Sequence, residues 1–419
     1  MKTLRSRAFA AALGASLLTP HIAAQTSFTT LYKFGAPPDG QSPNGVASGA
    51  NGALYGTTQA GGAYNAGTVF ELQPPKESGG AWTETVLHSF PSQNGVDGTT
   101  PFATPVVGPN GGLYGTTLGG GTFDQGSVFE LRPPAAPGGT WTEAVLYSFT
   151  NQNGDGSEPY ASLVIGRDGA FYGTTFYGSG QNYGTVFELQ PPVMGGAWTE
   201  RVLYSFAGQP DGGFVEGLTM GPGGVLYATT LNGGVLQAGT TFALAPPVAP
   251  DGTWTAVVLH SFTGGTDGCY PVAAPVVTSD GIYGSTTGTI DPGGYPGVMG
   301  MNTVFELTPP GAGSLPAGGN WNKTLLAAFG YGNLLATATS LIVRDGTIYG
   351  VAATRSGGEV FELRQPAAGG QWTKIVLHTF TDGNTPTGTL VVDESGAIYG
   401  VTVDLLRNPA GGTVYRIRP

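Results

Sequence analysis

Short runs of alternating apolar and polar residues recur along the chain, separated by clusters of Gly, Pro, Asn and Asp. Alternation with a period of two is typical of β-strands that bury one face. A Tyr-Gly or Tyr-Ala pair occurs seven times, at spacings of 50 to 66 residues, and each pair is followed by a strand similar to Val-Phe-Glu-Leu. The pattern predicts an all-β repeat protein. The seven tyrosines are Tyr55, Tyr114, Tyr172, Tyr227, Tyr283, Tyr349 and Tyr399.

Each repeat unit is predicted to contain four antiparallel strands. A short first strand rich in small residues leads through an Asn-Gly or Asp-Gly turn into the Tyr-Gly strand. These dipeptides tolerate the positive φ angles of a two-residue hairpin turn. A Gly-rich loop leads to the third strand, and a Pro-Pro…Gly-Gly loop leads to a fourth strand that begins at Trp and ends in Leu-x-Ser-Phe. Seven such units predict a seven-bladed β-propeller.

The two ends of the sequence complement each other. Residues 28–34 (FTTLYKF) resemble a fourth strand but precede the first unit, whereas the last unit stops after Tyr415 without its Trp strand. We therefore expect the N-terminal strand to complete the last blade and close the ring, which would remove two exposed sheet edges. Residues 25–419 are expected to form a single domain.

The first 24 residues have the pattern of a secretory signal peptide. Lys2, Arg5 and Arg7 precede an apolar run at 8–18 that is too short to span a bilayer. Its removal takes the net charge from −11 to −14, because three basic residues and no acidic ones are lost. So acidic a protein is a poor partner for nucleic acid or anionic lipid. We expect a secreted or periplasmic monomer with neither nucleic-acid binding nor membrane insertion.

The repeat resembles a known bacterial family. The motif L-Y-G-T-T-x-x-G-G…G-T-V-F-E-L…V-L-x-S-F…D-G-x-x-P is similar to the GloVer tandem repeats of choice-of-anchor proteins, and it is clearest at 54–72, 113–131 and 171–189. The resemblance covers nearly all of the expected mature chain. The family name refers to varied C-terminal surface anchors, and we expect none after Pro419. The resemblance implies no catalytic residue.

An Asp-Gly pair precedes the first strand of most units and is a candidate binding site. A ring of carboxylates could bind calcium or a polar ligand, but calcium needs about six to eight oxygens at one point. One Asp in each blade does not supply that number, so a turn in which Asp bonds its own backbone is favoured. Unit six lacks the pair. The acidic residues are Asp39, Asp97, Asp155, Asp211, Asp267 and Asp382.

Other recurrent side chains are expected to be structural. His88, His260 and His378 occupy one slot of the fourth strand and should lie far apart, so neither a His metal cluster nor a Ser-His-Asp triad is predicted. The repeated Trp is expected to pack between blades, and the Glu of Val-Phe-Glu-Leu to accept hydrogen bonds. Cys269 stands alone, which precludes an intramolecular disulfide. We predict no metal and no cofactor.

Departures from the repeat point to a ligand site at units five and six. Unit five has the longest connection between its second and third strands, and the loop of unit six is shortened. Loops on a rigid scaffold frequently carry binding sites. The predicted ligand-binding residues are Asp267, Tyr270, Asp291, Tyr295, Arg355 and Glu359.

The favoured function is a non-catalytic extracellular module that binds a glycan or a protein, because no catalytic motif exceeds the repeat background. A polysaccharide-active enzyme, either a lyase or a glycoside hydrolase, is the alternative. Acidic loop residues such as Glu158 and Glu216 would supply the paired carboxylates that glycoside hydrolysis requires. The scarcity of His and Cys disfavours a quinone- or metal-dependent oxidoreductase.

Overall fold

The fold is all-β and is built from antiparallel strands. A computed structural model describes residues 26–77, 79–91, 96–136, 138–152, 154–178, 180, 182–193, 195–249, 252–288, 299–311, 321–331, 340–354, 357–366, 370–381, 383–404 and 411–419. Across these ranges there is no α-helix, and the helical elements are two short 3₁₀ turns, Ala50–Gly52 and Pro222–Gly224. Accordingly, no helix in this part of the chain has the length and apolarity to cross a membrane.

The strands follow the seven units of the sequence. The N-terminal strand is β1 (Ser27–Phe34). Unit one contains β2 (Gly40–Ser48), β3 (Leu54–Gly61), β4 (Thr68–Gln73) and β5 (Thr83–Ser89). Unit two contains β6 (Gly98–Pro101), β7 (Val106–Val107), β8 (Leu113–Gly120), β9 (Ser127–Arg132) and β10 (Thr142–Ser148). Unit three contains β11 (Gly156–Pro159), β12 (Val164–Ile165), β13 (Phe171–Gly178), β14 (Thr185–Gln190) and β15 (Thr199–Ser205).

The remaining units continue the same order. Unit four contains β16 (Gly213–Met220), β17 (Leu226–Asn232), β18 (Thr240–Ala245) and β19 (Thr255–Ser261). Unit five contains β20 (Val276–Val277), β21 (Ile282–Thr287), β22 (Met301–Thr308) and β23 (Asn322–Tyr331). Unit six contains β24 (Leu341–Arg344), β25 (Thr347–Thr354), β26 (Gly357–Arg364) and β27 (Thr373–Phe380). Unit seven contains β28 (Asn384–Val392), β29 (Ile398–Asp404) and β30 (Gly412–Arg418).

The N-terminal strand is the fourth strand of unit seven. β1 pairs with β30 in antiparallel register from Ser27↔Arg418 to Phe34↔Gly412. Units one and seven also meet at their first strands, where β2 and β28 form a parallel bridge at Gly45↔Thr389. The pairing of the two ends of the chain agrees with the complementarity of their sequences.

In units one to four the first strand starts earlier than the sequence pattern indicated. The pattern placed it at segments such as ATPVVG, but in unit two the ladder starts at the Gly of Asp-Gly, with Gly98↔Gly120, and continues at Val106↔Tyr114. Proline inside the strand obscured it, because Pro101 has no N–H to donate; the strand is an edge strand, where proline is tolerated. The Asp-Gly pairs therefore share one end of the sheets with the loops between second and third strands, which is termed the loop face.

The hydrophobic core lies between consecutive sheets. The Phe at the end of each fourth strand packs against the aromatic ring of Val-Phe-Glu-Leu in the next unit, edge-on in most cases, as in Phe90–Phe129 at 5.3 Å between ring centroids. The same contact joins Phe34 of the N-terminal strand to Phe70 of unit one at 5.1 Å. Burial of such large rings makes a major contribution to folding free energy. One cluster, which includes Leu31 and Tyr399, joins unit seven to unit one.

The glycine of Tyr-Gly makes room for these rings. A Cβ on Gly115 would lie 2.6 Å from Cζ of Phe129, and one on Gly173 would lie 2.4 Å from Cζ of Phe187. Atoms cannot approach so closely, and packed cores relax only in part around an added methyl group. The recurrence of the dipeptide is therefore explained by the packing of the neighbouring strand.

Two-residue hairpin turns occur at only some of the predicted dipeptides. Asp345-Gly346 alone separates β24 from β25, and both residues have the positive φ that this turn type requires. Asn51 and Gly52 also have positive φ, but they lie in the longer loop between Ser48 and Leu54. At Asn110-Gly111 only the glycine has positive φ. Gly111 donates its N–H to the Gly108 carbonyl there, so the turn is closed by a different backbone geometry.

Candidate functional site

The repeated Asp side chains connect neighbouring units. Apart from Asp382, which lies outside the described residues, each accepts a hydrogen bond from the Tyr or His of the preceding fourth strand, with distances from 2.7 Å for Tyr204–Asp211 to 3.3 Å for Tyr147–Asp155. This contact is termed the latch. Its described pairs are Tyr32–Asp39, His88–Asp97, Tyr147–Asp155, Tyr204–Asp211 and His260–Asp267. The Asp and His side chains thus have a structural role at these sites, in agreement with the turn interpretation.

The Glu of Val-Phe-Glu-Leu is also a hydrogen-bond acceptor. The Tyr114 hydroxyl donates to Oε1 of Glu130 at 2.8 Å, and Tyr172 donates to Glu188 at 2.9 Å. Burial, followed by this hydrogen bond, raises the pKa of Tyr114 to about 12. The repeated Trp packs between units as predicted, since the Trp141 ring lies 6.1 Å from that of Tyr55.

The described members of the predicted site at units five and six are engaged in structural contacts. Burial opposes ionisation of Asp267, but hydrogen bonds from His260 and Lys323 hold its pKa well below the usual range. Tyr270 is buried in the core between units four and five. Glu359 forms an ion pair with Lys374.

The other three members, Asp291, Tyr295 and Arg355, lie outside the described residues, and their part of the site stays a prediction. Cys269 is buried, and burial together with the charge of Asp267 raises the pKa of its thiol to about 12. A thiol that stays protonated at neutral pH is a poor nucleophile. Nowhere in the described ranges do three His, Cys, Asp or Glu side chains come together as metal ligands.

The loops between second and third strands share one geometry in units one, two and four. In unit two the backbone of Asp124 has φ +56°, and its side chain accepts a hydrogen bond from the Gly120 N–H at 2.9 Å. Oγ of Ser148 accepts a second hydrogen bond, from the Thr122 N–H. Units one and four repeat both contacts with Asn65 and Gln237. The tip residue is apolar and about half exposed at Tyr64 (57%), Phe123 (53%) and Leu236 (48%). The loop face thus presents apolar tips on loops that are fixed by side-chain hydrogen bonds.

Six partly exposed aromatic rings form a continuous cluster near the loop face of units two to four. Phe102 and Tyr160 lie 4.4 Å apart between ring centroids, and Phe176 lies 5.3 Å from Tyr160 and 4.9 Å from Phe214. None of the rings is fully buried. This aromatic cluster consists of Phe102, Tyr160, Phe176, Tyr177, Tyr183 and Phe214.

The aromatic cluster is a departure from the repeat. The first-strand position of Tyr160 is Asn44 in unit one and Thr387 in unit seven, and the second-strand position of Phe176 is Gln59 in unit one. Sequence reasoning missed it because the Asp-Gly-x-x-Pro segment was interpreted as a turn. The amino-acid sequence does contain a signal, since aromatic residues replace polar ones at matching positions of units two to four.

Phe214 holds its ring on a strained backbone. Its φ is +58°, and the equivalent residues Thr100, Glu158 and Tyr270 have φ between +53° and +57°. A bulky residue rarely adopts this left-handed conformation. The conformation is fixed by the fold, because each N–H donates to a carbonyl in the loop of the preceding unit, Tyr183 in the case of Phe214. The backbone is common to these units, whereas the side chain displayed there varies.

Two carboxyl groups belong to the same region. Glu216 occupies in unit four the position of Tyr160 in unit three, and its charge adds to burial in raising the pKa of Tyr160. Burial raises the pKa of Glu216 itself to about 8, although the side chain keeps some contact with solvent. Among the described residues no hydrogen bond or ion pair reaches its carboxyl. Glu158 is exposed, and partial desolvation raises its pKa.

Solved structures of similar fold include sugar-processing and extracellular proteins. An ulvan lyase, described as a new family of polysaccharide lyase and bound to -[GlcA(1-4)Rha3S]-, aligns with a TM-score of 0.54 at 11% identity over 92% of this chain and 94% of its own. An extracellular domain assigned to a hybrid two component system of B. thetaiotaomicron aligns with a TM-score of 0.52 at 11% identity over 92% of this chain. This chain spans 39% of that second protein's length. At such identity the likeness concerns the fold.

A comparison with curated proteins finds no match. The Gloeobacter/Verrucomicrobia repeat, by contrast, matches three overlapping stretches, residues 18–154, 76–296 and 135–358. These stretches extend from unit one into unit six and include the Tyr-Gly, Val-Phe-Glu-Leu and Leu-x-Ser-Phe segments of the earlier units. The chain therefore belongs to the Gloeobacter/Verrucomicrobia repeat family.

Proposed function

We propose that the protein is a secreted, non-catalytic β-propeller that binds an extracellular glycan at the aromatic cluster. Seven four-stranded blades would form its single domain, closed into a ring by the N-terminal strand. The β1–β30 ladder, the β2–β28 bridge and the hydrophobic cluster between units seven and one support the closure. Export would follow from the signal peptide predicted at residues 1–24.

The aromatic cluster is the observation that carries this proposal. Ligand sites combine apolar and aromatic walls with a few polar groups. Flat rings pack against the C–H faces of sugars, while the Tyr hydroxyls and the two carboxyls can bond sugar hydroxyls. The six neighbouring rings all remain partly exposed, and a contiguous patch of this kind often marks a binding site.

A polysaccharide-active enzyme is the second candidate, favoured by the pair Glu158 and Glu216. A general acid must be protonated at working pH, and a pKa of about 8 would keep Glu216 protonated at pH 7. The exposed Glu158 would be ionised and could act as a base or nucleophile. Two carboxyl groups whose environments separate their pKa values are the usual assignment of acid and base in glycoside hydrolysis.

The test is calorimetric titration of the purified protein with neutral, acidic and amino-bearing oligosaccharides, followed on the same samples by an assay for new reducing ends. We expect binding without new ends, and Phe176→Ala should weaken the binding at least tenfold. Val193→Ala, almost fully exposed in a loop at the opposite end of the sheets, is the control and should bind normally. New reducing ends that Glu216→Gln abolishes would establish the enzyme instead. Binding to no saccharide would contradict the proposal.

A further inference from the structure

The charges around the aromatic cluster have one sign. Residues 96–275, which span units two to four, contain three Lys or Arg, namely Arg132, Arg167 and Arg201. All three belong to the end of the sheets opposite the loop face. Arg132 pairs with Glu130 at the end of a third strand, and the Arg201 guanidinium donates to the Gly252 carbonyl in a loop between third and fourth strands. Arg167 lies in the turn between first and second strands.

Carboxyl groups, in contrast, border the cluster on its own side. The charge of Glu216 adds to burial in raising the pKa of Tyr160, and Glu158 lies on β11, which ends at Pro159 directly before Tyr160. The Asp side chains of this face are already engaged, Asp155 and Asp211 in latches and Asp124 in a loop. Glu158 and Glu216 are therefore the acidic groups of the cluster that are left to bind a ligand.

We infer that the glycan bound by the aromatic cluster carries free amino groups, as in an oligomer of glucosamine. This inference rests on the proposed function. An ammonium group beside a carboxylate and over aromatic faces gains a charge-assisted hydrogen bond and a cation–π contact at once. A uronate or sulfate group would meet the Glu158 carboxylate, with no Lys or Arg of units two to four on this side of the sheets to offset it, and like charges at close range disfavour binding.

The experiment compares three oligosaccharides of equal length by calorimetric titration at neutral pH: a glucosamine oligomer, its fully N-acetylated counterpart and a glucuronate oligomer. Acetylation removes the positive charge and retains the ring that stacks on the aromatic residues. We expect the glucosamine oligomer to bind at least tenfold more tightly than the acetylated one, and the glucuronate oligomer to bind most weakly. Added salt should weaken the first and leave the second nearly unchanged.

Isosteric variants then locate the charge effect. Glu158→Gln should lower affinity for the glucosamine oligomer about tenfold, which is the effect of losing one charge-assisted contact, and should leave the acetylated oligomer unaffected. Glu216→Gln should have a smaller effect at neutral pH, because burial raises the pKa of Glu216 to about 8 and keeps it largely protonated there. Glu77→Gln removes one negative charge from an exposed loop at the opposite end and should change neither affinity. Equal binding of the two oligomers, lost in Phe176→Ala, would overturn the amino-group inference and retain the binding module. No binding of any oligomer, even by the wild type, would overturn both.

Discussion

The hydroxyl of the repeated Tyr-Gly tyrosine has different hydrogen-bond partners in different units of the chain. In units one, two, three and five the hydroxyl donates to the Glu of the third strand. In unit seven that Glu is replaced by Arg416, and Asp393 accepts the bond from Tyr399 at 2.9 Å instead. In unit four the Glu is replaced by Ala243, and the buried Tyr227 hydroxyl finds no partner among the described residues.

Removing this hydroxyl should therefore have opposite consequences in two units. Tyr114→Phe loses a hydrogen bond to a carboxylate and leaves Oε1 of Glu130 without this donor, while Arg132 still donates to Oε2, so we expect a loss of about 1–3 kcal/mol in the free energy of unfolding. Tyr227→Phe removes a buried polar group that has no described partner, so we expect stability to be unchanged or increased. Urea denaturation of both variants checks this. A larger loss in Tyr227→Phe than in Tyr114→Phe would show that Tyr227 has a partner, for example a bound water.

At the scale of single residues, the sequence predicted the role of the repeated groups but did not indicate the aromatic cluster. A repeated Glu or Trp must fulfil the same role in each unit, which points to packing and hydrogen bonding. The aromatic cluster is assembled from three units, and its contacts follow from a first strand that starts at Gly98, Gly156 and Gly213, where the pattern indicated loops. An error of a few residues in a strand boundary was enough to hide which side chains meet.

Among the elements, the latch explains two departures of the sequence at once. Unit six has no Asp-Gly pair, and the position of the latch Tyr or His in the fourth strand of unit five is Ala327. The hydrogen-bond donor of the latch in unit five and its Asp acceptor in unit six are thus both absent, as expected if the two side chains serve only to bond each other. The absence of Asp-Gly from unit six therefore has a structural explanation that does not require a ligand site there.

The fourth strands also bring a second carboxyl group close to a latch. Glu84, Glu143 and Glu200 occupy one position in units one to three, each with a buried oxygen that has no partner in the described part of the chain. Burial, and then the charge of the latch Asp, raises the pKa of each to about 7. Protonation of these groups consequently favours the folded state.

This arrangement predicts a stability that falls with rising pH. The folded protein retains these protons up to about pH 7, whereas the unfolded chain releases them near 4.5, so the free energy of unfolding should decrease between these values. Glu143→Gln should flatten that decrease and be more stable than the wild type at pH 8 while matching it at pH 4. Thermal unfolding over this pH range measures the effect, with Glu77→Gln as control. Parallel profiles for Glu143→Gln and the wild type would contradict it.

At the scale of the molecule, the order of strands within a unit and the pairing of the two ends could be predicted because they follow from the repeat itself. A missing fourth strand at one end and an extra one at the other admit few other arrangements. The repeat does not indicate which face would bind a ligand, since that information lies in the side chains that depart from the repeat. The fold therefore followed from what the units share, and the aromatic cluster from where they differ.

If the N-terminal strand closes a ring, it should matter as much as any internal fourth strand. Phe34 is buried and packs on Phe70 across the boundary between units seven and one, as Phe90 packs on Phe129 between units one and two. Phe34→Ala and Phe90→Ala should each lose about 3–5 kcal/mol, since both leave a cavity in equivalent surroundings. Denaturation in urea compares them, and deletion of residues 25–35 should destabilise further by exposing two sheet edges. A small loss in Phe34→Ala beside a large one in Phe90→Ala, or a deletion that melts like the parent, would mean that the ring is held without its terminal strand.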